Sequence, residues 1–568
     1  MATSMDAPRL GDRGWDWRPW AVVLVVFGVH FVRLGALPLR GEETRWATVA
    51  IEMLRSGDWV VPTQQGQPFL SRPPLGSWLI AASGLVWGDF STVAVRLPTA
   101  LSTLMTCLGL YHYTVGVSGR RRAGLAAGIG YATMGHVLQL GQLAESDAVF
   151  TLFLAGSLLT WHLAYTKGRT WQAWSGGYAL AALAALTKGP QGPTYFVLPV
   201  VVFLVSRRDW RRLFSWAHAA GVVLFLTILL AWEVPFVSRL GFAGLREIWS
   251  GDTLLRFQGV TPLSWLASIV GFPFVLLACT APWSLVLGTY ARRDLREALG
   301  PARPAALFLA TCIALTLPSC WFIPNTRGRY FLPMYPLMAV LAGLAIDRLL
   351  ASDLHSTLRT RWSRFATTCA AASLLGMTIV ALSGFLPFQV FRQLVQPIGP
   401  LLVYALMTTL LAVVVLASTG SRPRVSGSVA LLAIAGLVGL TFTGVGTNVN
   451  ASASEDTRAA VAALKERLPG DVRLIGFGEV HHVFAYHYGT PIESRSLQQF
   501  SRNDDVDYFC LYVTETFDPR PKVPFAWEQV ARISCERYRR DPSRFDMVIG
   551  RKVPVDQAVQ REGVSQRR

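Results

Sequence analysis

Apolar runs close to twenty residues long recur through the first 450 positions, joined by short polar connections, and then give way to shorter, mixed segments. A bilayer core needs about twenty apolar residues for each helical crossing, so each long run predicts a membrane span. The runs fall near 20–36, 93–117, 123–141, 148–165, 172–187, 193–206, 215–236, 264–290, 304–321, 331–349, 365–387, 398–418 and 427–447, about thirteen in all. Leu75 to Trp87 is also apolar but short, and it lies in a polar first loop, 41–92, where it predicts an interfacial helix. Beyond Asn450, VAALKERL followed by DVRLIGFG predicts an amphipathic helix and then a strand. The chain reads as an α-helical polytopic membrane protein with interfacial helices in its first outer loop. A small C-terminal α/β domain over 451–568 stands outside the membrane and ends in a polar, frayed stretch from about Asp556.

Composition supports this class: 52% of the residues are hydrophobic and 15% charged, too apolar for an ordinary soluble domain. The net charge of +18 invites a nucleic-acid partner, yet the basic residues sit in short clusters between spans. With a cytoplasmic N-terminal segment, 1–19, holding Arg9, Arg13 and Arg18, the inside loops carry Arg120 to Arg122, Lys167 to Arg169, Arg207 to Arg212, Arg292 to Arg296, Arg348 to Arg364 and Arg422 to Arg424. Every strongly basic short loop then obeys the positive-inside rule, and nucleic acid drops out. If Leu75 to Trp87 crossed the membrane, Arg120 to Arg122 would face outward. No small-residue cleavage site follows the first apolar run, so it reads as an uncleaved span.

Five of the seven cysteines, Cys107, Cys279, Cys312, Cys320 and Cys369, fall in or beside spans and read as apolar fillers. Cys510 and Cys535 in the tail are candidates for a disulfide. His481, His482 and His487 read as a surface cluster rather than a metal site, and no zinc-site spacing occurs.

This topology gathers the unusual polar residues on one face. The outward segments carry Glu42, Glu43, Arg45, Asp58 and Arg72, then Glu145 and Asp147, then Lys188, then Glu233 to Arg256, and last Arg327 and Arg329. Charges beside a bilayer are costly enough to be functional or paired; Glu42 could simply pair with Arg45. Guanidinium and ammonium groups at an apolar entrance suit a lipid phosphate. Neighbouring carboxylates suit activation of a hydroxyl or stabilisation of positive charge on a sugar ring. Together they describe glycosyl transfer from a lipid-phosphate donor. A lipid or solute transporter also places charges within helical bundles, but usually near mid-span and in repeating halves, neither of which appears here.

The first loop, RGEETRWATVAIEMLRSGDWVVPTQQGQPFLSRPPL, resembles that of the lipid A aminoarabinose transferases and related polyprenyl-phosphate-dependent membrane glycosyltransferases of the C superfamily, with more distant kinship to protein O-mannosyltransferases. LAESDAVFTLFL, LTKGPQGPTYFVLP and IPNTRGRYFLPMYP continue the likeness in order, over roughly residues 20 to 350. The resemblance implies a transmembrane glycosyltransferase domain over 20–450, with inversion at the sugar carbon. It implies transfer of a monosaccharide, hexose or pentose, from a polyprenyl-phosphate donor at the outer face of a bacterial inner membrane. The acceptor would be an envelope glycolipid, polysaccharide or protein; the alternatives are a transporter or a catalytically silent relative.

Residue by residue, the resemblance makes Glu42 the candidate catalytic or acceptor-orienting carboxylate, Glu43 the glutamate that follows it, and Asp147 the second-loop acid. Arg45 and Arg72 fall at positions that hold the donor phosphate, and Lys188 at the mouth of the same cavity. Arg327 and Arg329 are further phosphate candidates, or else position the helix start at Tyr330 to Pro336. Three positions depart from the family: Glu42 is one methylene longer than the usual aspartate, Arg72 replaces the common lysine, and Ser71 stands where a glutamate is frequent. The last change removes a candidate metal ligand, which weakens the case for zinc and for lipid A as the acceptor; no cofactor is certain, and a divalent metal is possible but unsupported.

Overall fold

The computed structural model describes residues 15–553 except 40, 256–259, 325, 353–355, 384–397, 420–422, 454–455, 471, 497–505, 515–516 and 536–544. Arg9, Arg13, Arg256, Arg422 and the polar end from Asp556 lie outside the described residues. A helix underlies each of the thirteen predicted segments, but that of 264–290 ends at Thr280, where Ala281 is extended and only short turns follow. Eight helices among the described residues are long and apolar enough to cross a membrane, and four more are apolar but shorter.

The 123–141 segment departs from expectation, because it is two helices, Arg121–Ala132 and Gly135–Leu140, with Met134 extended between them. The break has local causes. Thr133 turns its hydroxyl back to the Ile129 carbonyl and accepts from the Trp283 indole at 2.9 Å, while Gly135 N donates to Ala281 O. A Cβ at Gly135 would lie 3.0 Å from Ala278 O, so glycine eases this close approach. The 215–236 segment runs on instead as Trp216–Leu255, broken at Gly241 where φ is 68°.

The most enclosed span is Gly328–Ala351, which starts as a 3-10 turn over Gly328–Met334 and continues as the helix Tyr335–Ala351. It packs against Arg121–Ala132 so closely that a Cβ on Gly343 would meet Ala123 O at 2.6 Å. Small residues allow this in a bilayer, where packing rather than water exclusion holds helices together.

The first loop folds into the helix Glu42–Ser56, a hairpin of β1 (Thr63–Gln64) and β2 (Gln67–Pro68), and the helix Leu75–Trp87. Thirteen residues at 1.5 Å each give about 20 Å, shorter than the roughly 30 Å hydrocarbon core. Glu52 holds the hairpin turn, accepting from Gln65 N at 2.6 Å, Gly66 N at 3.2 Å and Thr63 Oγ1 at 2.8 Å. Two apolar clusters seat the loop on the bundle: Trp46, Ala50 and Ile80 with Val95 and Ala144, and Val61 and Leu75 with Leu186, Trp232 and Phe236.

After the last apolar helix come Thr457–Arg467, within which VAALKER falls, and β3 (Leu474–Phe477) inside DVRLIGFG. The short helix His482–Tyr488 leads to β4 (Glu493–Arg495), β5 (Tyr508–Val513), β6 (Trp527–Ser534) and β7 (Asp546–Lys552). They form one sheet in the order β4-β3-β5-β7-β6, with β3 parallel to both neighbours and β5, β7 and β6 antiparallel. Cys510 and Cys535 are free thiols buried in its core. The sheet region is tied to the first loop, because Ile492 N donates to Gln65 Oε1 at 2.8 Å and the Tyr486 hydroxyl to Phe90 O at 3.2 Å.

Candidate active site

Three chain segments meet around Asp147. The aspartate sits in the first turn of Ser146–Thr166, where a helix N-terminus favours negative charge, and Lys188 ends Thr170–Lys188, where a C-terminus favours a cation. Lys188 Nζ lies 2.5 Å from Asp147 Oδ1, and Arg329 Nη2 lies 2.7 Å from Asp147 Oδ2 and also pairs with Glu145. Asp147 and Glu145 are buried. The Lys188 ammonium stands between the Phe150 and Tyr330 rings, 5.7 and 5.6 Å from their centroids, while Gln191 Nε2 donates to Tyr330 O at 3.4 Å.

Arg72 donates to Ser71 O at 2.7 Å and stands near enough to Lys188 to repel its charge. Lys188 and Arg329 thus pair with Asp147 and Glu145, and the Arg72 guanidinium stands beside them. Arg329 Nε and His136 Nδ1 are buried beside the pair and have no hydrogen-bond partner among the described residues. Buried donors are normally satisfied, so the open Arg329 Nε beside these cations suits an anion.

The two adjacent glutamates of the first loop part company. Glu43 is buried and takes both arms of Arg96, at 2.7 and 2.8 Å, together with the Ala144 amide at 2.9 Å. Arg96 also donates to the carbonyls of Leu34, Leu37 and Pro38. This is a strut: it clamps the first turn of Glu42–Ser56 to the segment carrying Glu145 and Asp147. Glu42, one residue earlier, keeps a side chain 44% exposed and pairs with Arg45 at 3.2 Å.

Arg45 reaches on to His482, with Nη2 3.3 Å from Nδ1, and lies 5.8 Å from the Phe69 centroid. A guanidinium only donates, so Nδ1 accepts and the imidazole is neutral. Burial, then His481 and then Arg45, hold His482 well below the usual histidine range; burial and Arg45 bring His481 down to about 4. The Gly41 carbonyl lies against the His482 ring, so that ring touches residues on both sides of Glu42. Among the described residues, no three His, Cys, Asp or Glu side chains stand close enough to share a metal ion.

The structure therefore brings Asp147, Lys188 and Arg329 together with Arg72 beside them, and sets Glu42 and Arg45 as a pair on the linked first turn. Glu43 turns away to Arg96, and Arg327 is exposed, contributing its carbonyl to Tyr330 N. The sequence pattern does not point to Arg96, and it reads His481, His482 and His487 as a surface cluster, whereas His482 is buried and the other two are half-buried. Arg96 carried a usable signal, a lone guanidinium inside an apolar span; His482 carried none, since its partner lies 437 residues away.

The family model for dolichyl-phosphate-mannose-protein mannosyltransferases matches residues 71–232. An undecaprenyl phosphate-α-4-amino-4-deoxy-L-arabinose arabinosyl transferase of Serratia proteamaculans is 29% identical over 345 residues, 58% of this chain and 59% of that protein. A second such transferase from Pseudomonas fluorescens is 30% identical over 352 residues, 58% of this chain and 57% of its own length. The chain thus spans about three-fifths of the curated relatives it matches. Among solved structures, ArnT from Cupriavidus metallidurans superimposes with a TM-score of 0.70 without ligand and 0.69 bound to undecaprenyl phosphate, at 20% identity, covering 93% of this chain and 97% of ArnT. The fold is that of ArnT, and the resemblance seen in the four sequence strings is borne out.

Proposed function

We propose that this chain transfers a monosaccharide from a polyprenyl-phosphate-linked donor to an envelope glycolipid, polysaccharide or protein, at the outer face of a bacterial inner membrane. The observation that carries the reading is the buried Asp147–Lys188–Arg329 cluster with the Arg72 guanidinium beside it, tied to Glu42 through the Glu43–Arg96 clamp. In support stand the curated relatives, whose names specify an undecaprenyl-phosphate-linked donor, and the undecaprenyl phosphate bound to ArnT. The proposed organisation is a cytoplasmic segment over 1–19, thirteen spans over 20–450 and an extracytoplasmic α/β domain over 451–568.

In the proposed reaction the acceptor hydroxyl oxygen bonds to the anomeric carbon as the bond from that carbon to the phosphate oxygen breaks. Glu42 receives the hydroxyl proton. The phosphate leaves as an anion held by Lys188, Arg72 and Arg329, whose charges lower the cost of its departure. Attack from the side opposite the phosphate inverts the sugar carbon. Asp147 is engaged by two cations and so serves to aim them, while Glu43 positions the first turn.

The test is transfer by the purified full chain in lipid nanodiscs, supplied with undecaprenyl-phosphate-linked pentose, amino pentose or hexose and with extracted envelope acceptors, read by mass spectrometry. A mass increment that appears with one donor and disappears in Glu42→Gln is expected. Product that persists unchanged in Glu42→Gln contradicts the role of Glu42, and absence of product with every donor contradicts the reaction.

A further inference from the structure

A cavity of about 860 Å³ opens between Arg303–Thr316 and Tyr335–Ala351. It lies toward the opposite end of the bundle from Asp147. The Arg120 guanidinium donates to Leu299 O at 3.5 Å and stands 3.8 Å from Asp347, and Asp347 is eighteen residues beyond Arg329, roughly 27 Å along a helix. Its walls include Leu287, Leu307, Ala310, Ala314, Met338 and Leu341, and Leu307 is 60% exposed. Arg303, Leu307, Ala310, Ala314 and Leu317 recur at helical spacing, so an arginine stands at the head of an apolar strip hollowed by two alanines.

The charges at the mouth do not cancel. Arg293 pairs with Glu297 at 2.7 Å and Arg292 with Asp294 at 3.0 Å. Arg296 and Arg303 are exposed and make no side-chain hydrogen bond or ion pair among the described residues. The Tyr290 hydroxyl, which also lines the groove, is spent on Leu341 O at 2.9 Å. The groove thus offers hydrocarbon walls and two guanidiniums at its mouth, the complement of a hydrocarbon chain with an anionic phosphate head.

We propose that this groove binds an acidic phospholipid of the adjoining leaflet, with an acyl chain along Leu307, Ala310 and Ala314 and the headgroup phosphate at Arg296 and Arg303. A zwitterionic headgroup balances its own phosphate and gains less from the doubly positive mouth. The site is separate from the Asp147 cluster and does not rest on the proposed transfer reaction.

Native mass spectrometry of the full chain, released from micelles holding equal amounts of phosphatidylglycerol and phosphatidylcholine with the same acyl chains, tests the assignment. Wild type should retain phosphatidylglycerol preferentially. Arg296→Gln with Arg303→Gln should weaken that retention on the order of tenfold, and the two Arg→Lys changes should largely restore it. Ala310→Trp, which fills the groove and keeps both arginines, should expel the lipid while the melting temperature in detergent stays near wild type. Equal retention of the two lipids, retention unmoved by the double glutamine variant or by Ala310→Trp, or displacement of phosphatidylglycerol by an equal concentration of undecaprenyl phosphate would each overturn it.

Discussion

The bundle carries two buried aspartates ringed by cations, one toward each end of its most enclosed span. Asp347 is held by Arg122 at 2.9 Å, by Arg120 at 3.8 Å and by its neighbour Arg348; Asp147 is held by Lys188 and Arg329. By composition alone the Asp347 cluster is the more positive, with three cations to one carboxylate. It nevertheless reads as a staple, because its arginines come from the basic loops expected inside and fasten Arg121–Ala132 to the end of Tyr335–Ala351. What distinguishes the Asp147 cluster is its company: two aromatic rings beside an ammonium and a clamp leading to a carboxylate with a 44% exposed side chain. A buried ion pair is weak evidence of function by itself, and convergence of independent chain segments is stronger.

The largest effect separating the two ends is expected at Glu42. Glu42→Gln keeps the shape and removes the base, and should lower transfer to a hydroxyl acceptor by about 10²–10⁴ without changing the melting temperature; Glu42→Asp should retain measurable transfer. An anionic acceptor, already deprotonated, would show a much smaller loss. The converse is expected at the other end. Asp347→Ala leaves three arginines uncompensated and should destabilise the fold toward the low end of about 3–5 kcal/mol, since those arginines reach solvent, while the folded fraction keeps its donor requirement. Loss of transfer by well-folded Asp347→Ala protein would erase the distinction.

A smaller, pH-dependent effect should separate the first loop from the sheet behind it. His481 and His482 take up protons near 6.5 when unfolded but resist them when buried, His481 down to about 4. The unfolded chain therefore binds more protons between these values. The stability carried by this contact is full above pH 6.5 and is lost as pH falls through about 4. Melting of the full chain in detergent should decline less steeply over that window in His482→Gln than in wild type, and equal slopes would place the acid sensitivity elsewhere.

Much of this arrangement is legible in the sequence because spans are local. Length and apolarity mark a helix under every predicted segment, and Leu75–Trp87 is a helix as well. The break at Thr133 and Met134 was not legible, because it depends on Trp283 and Ala281, some 150 residues on. The site divides in the same way. Asp147, Lys188 and Arg329 stand out as charges at the ends of apolar runs, whereas nothing local tells Glu43 from Glu42. Their roles separate because Arg96 lies on one side of the helix start and His482 approaches Arg45 from the other. Arg327 and Arg329 are equally basic neighbours, and the 3-10 turn beginning at Gly328 leaves the first exposed and turns the second onto Asp147.

The account stands most directly on donor kinetics of Lys188→Ala and Arg120→Ala, measured side by side in nanodiscs with a titrated undecaprenyl-phosphate-linked donor. Removing a charge-assisted contact to phosphate costs about 1.5–3 kcal/mol, so Lys188→Ala should lower kcat/KM for the donor roughly ten- to a hundredfold, while Arg120→Ala leaves it within about twofold of wild type. Equal losses in the two variants, or no loss in Lys188→Ala, would contradict the claim that the Asp147 end of the bundle holds the donor phosphate.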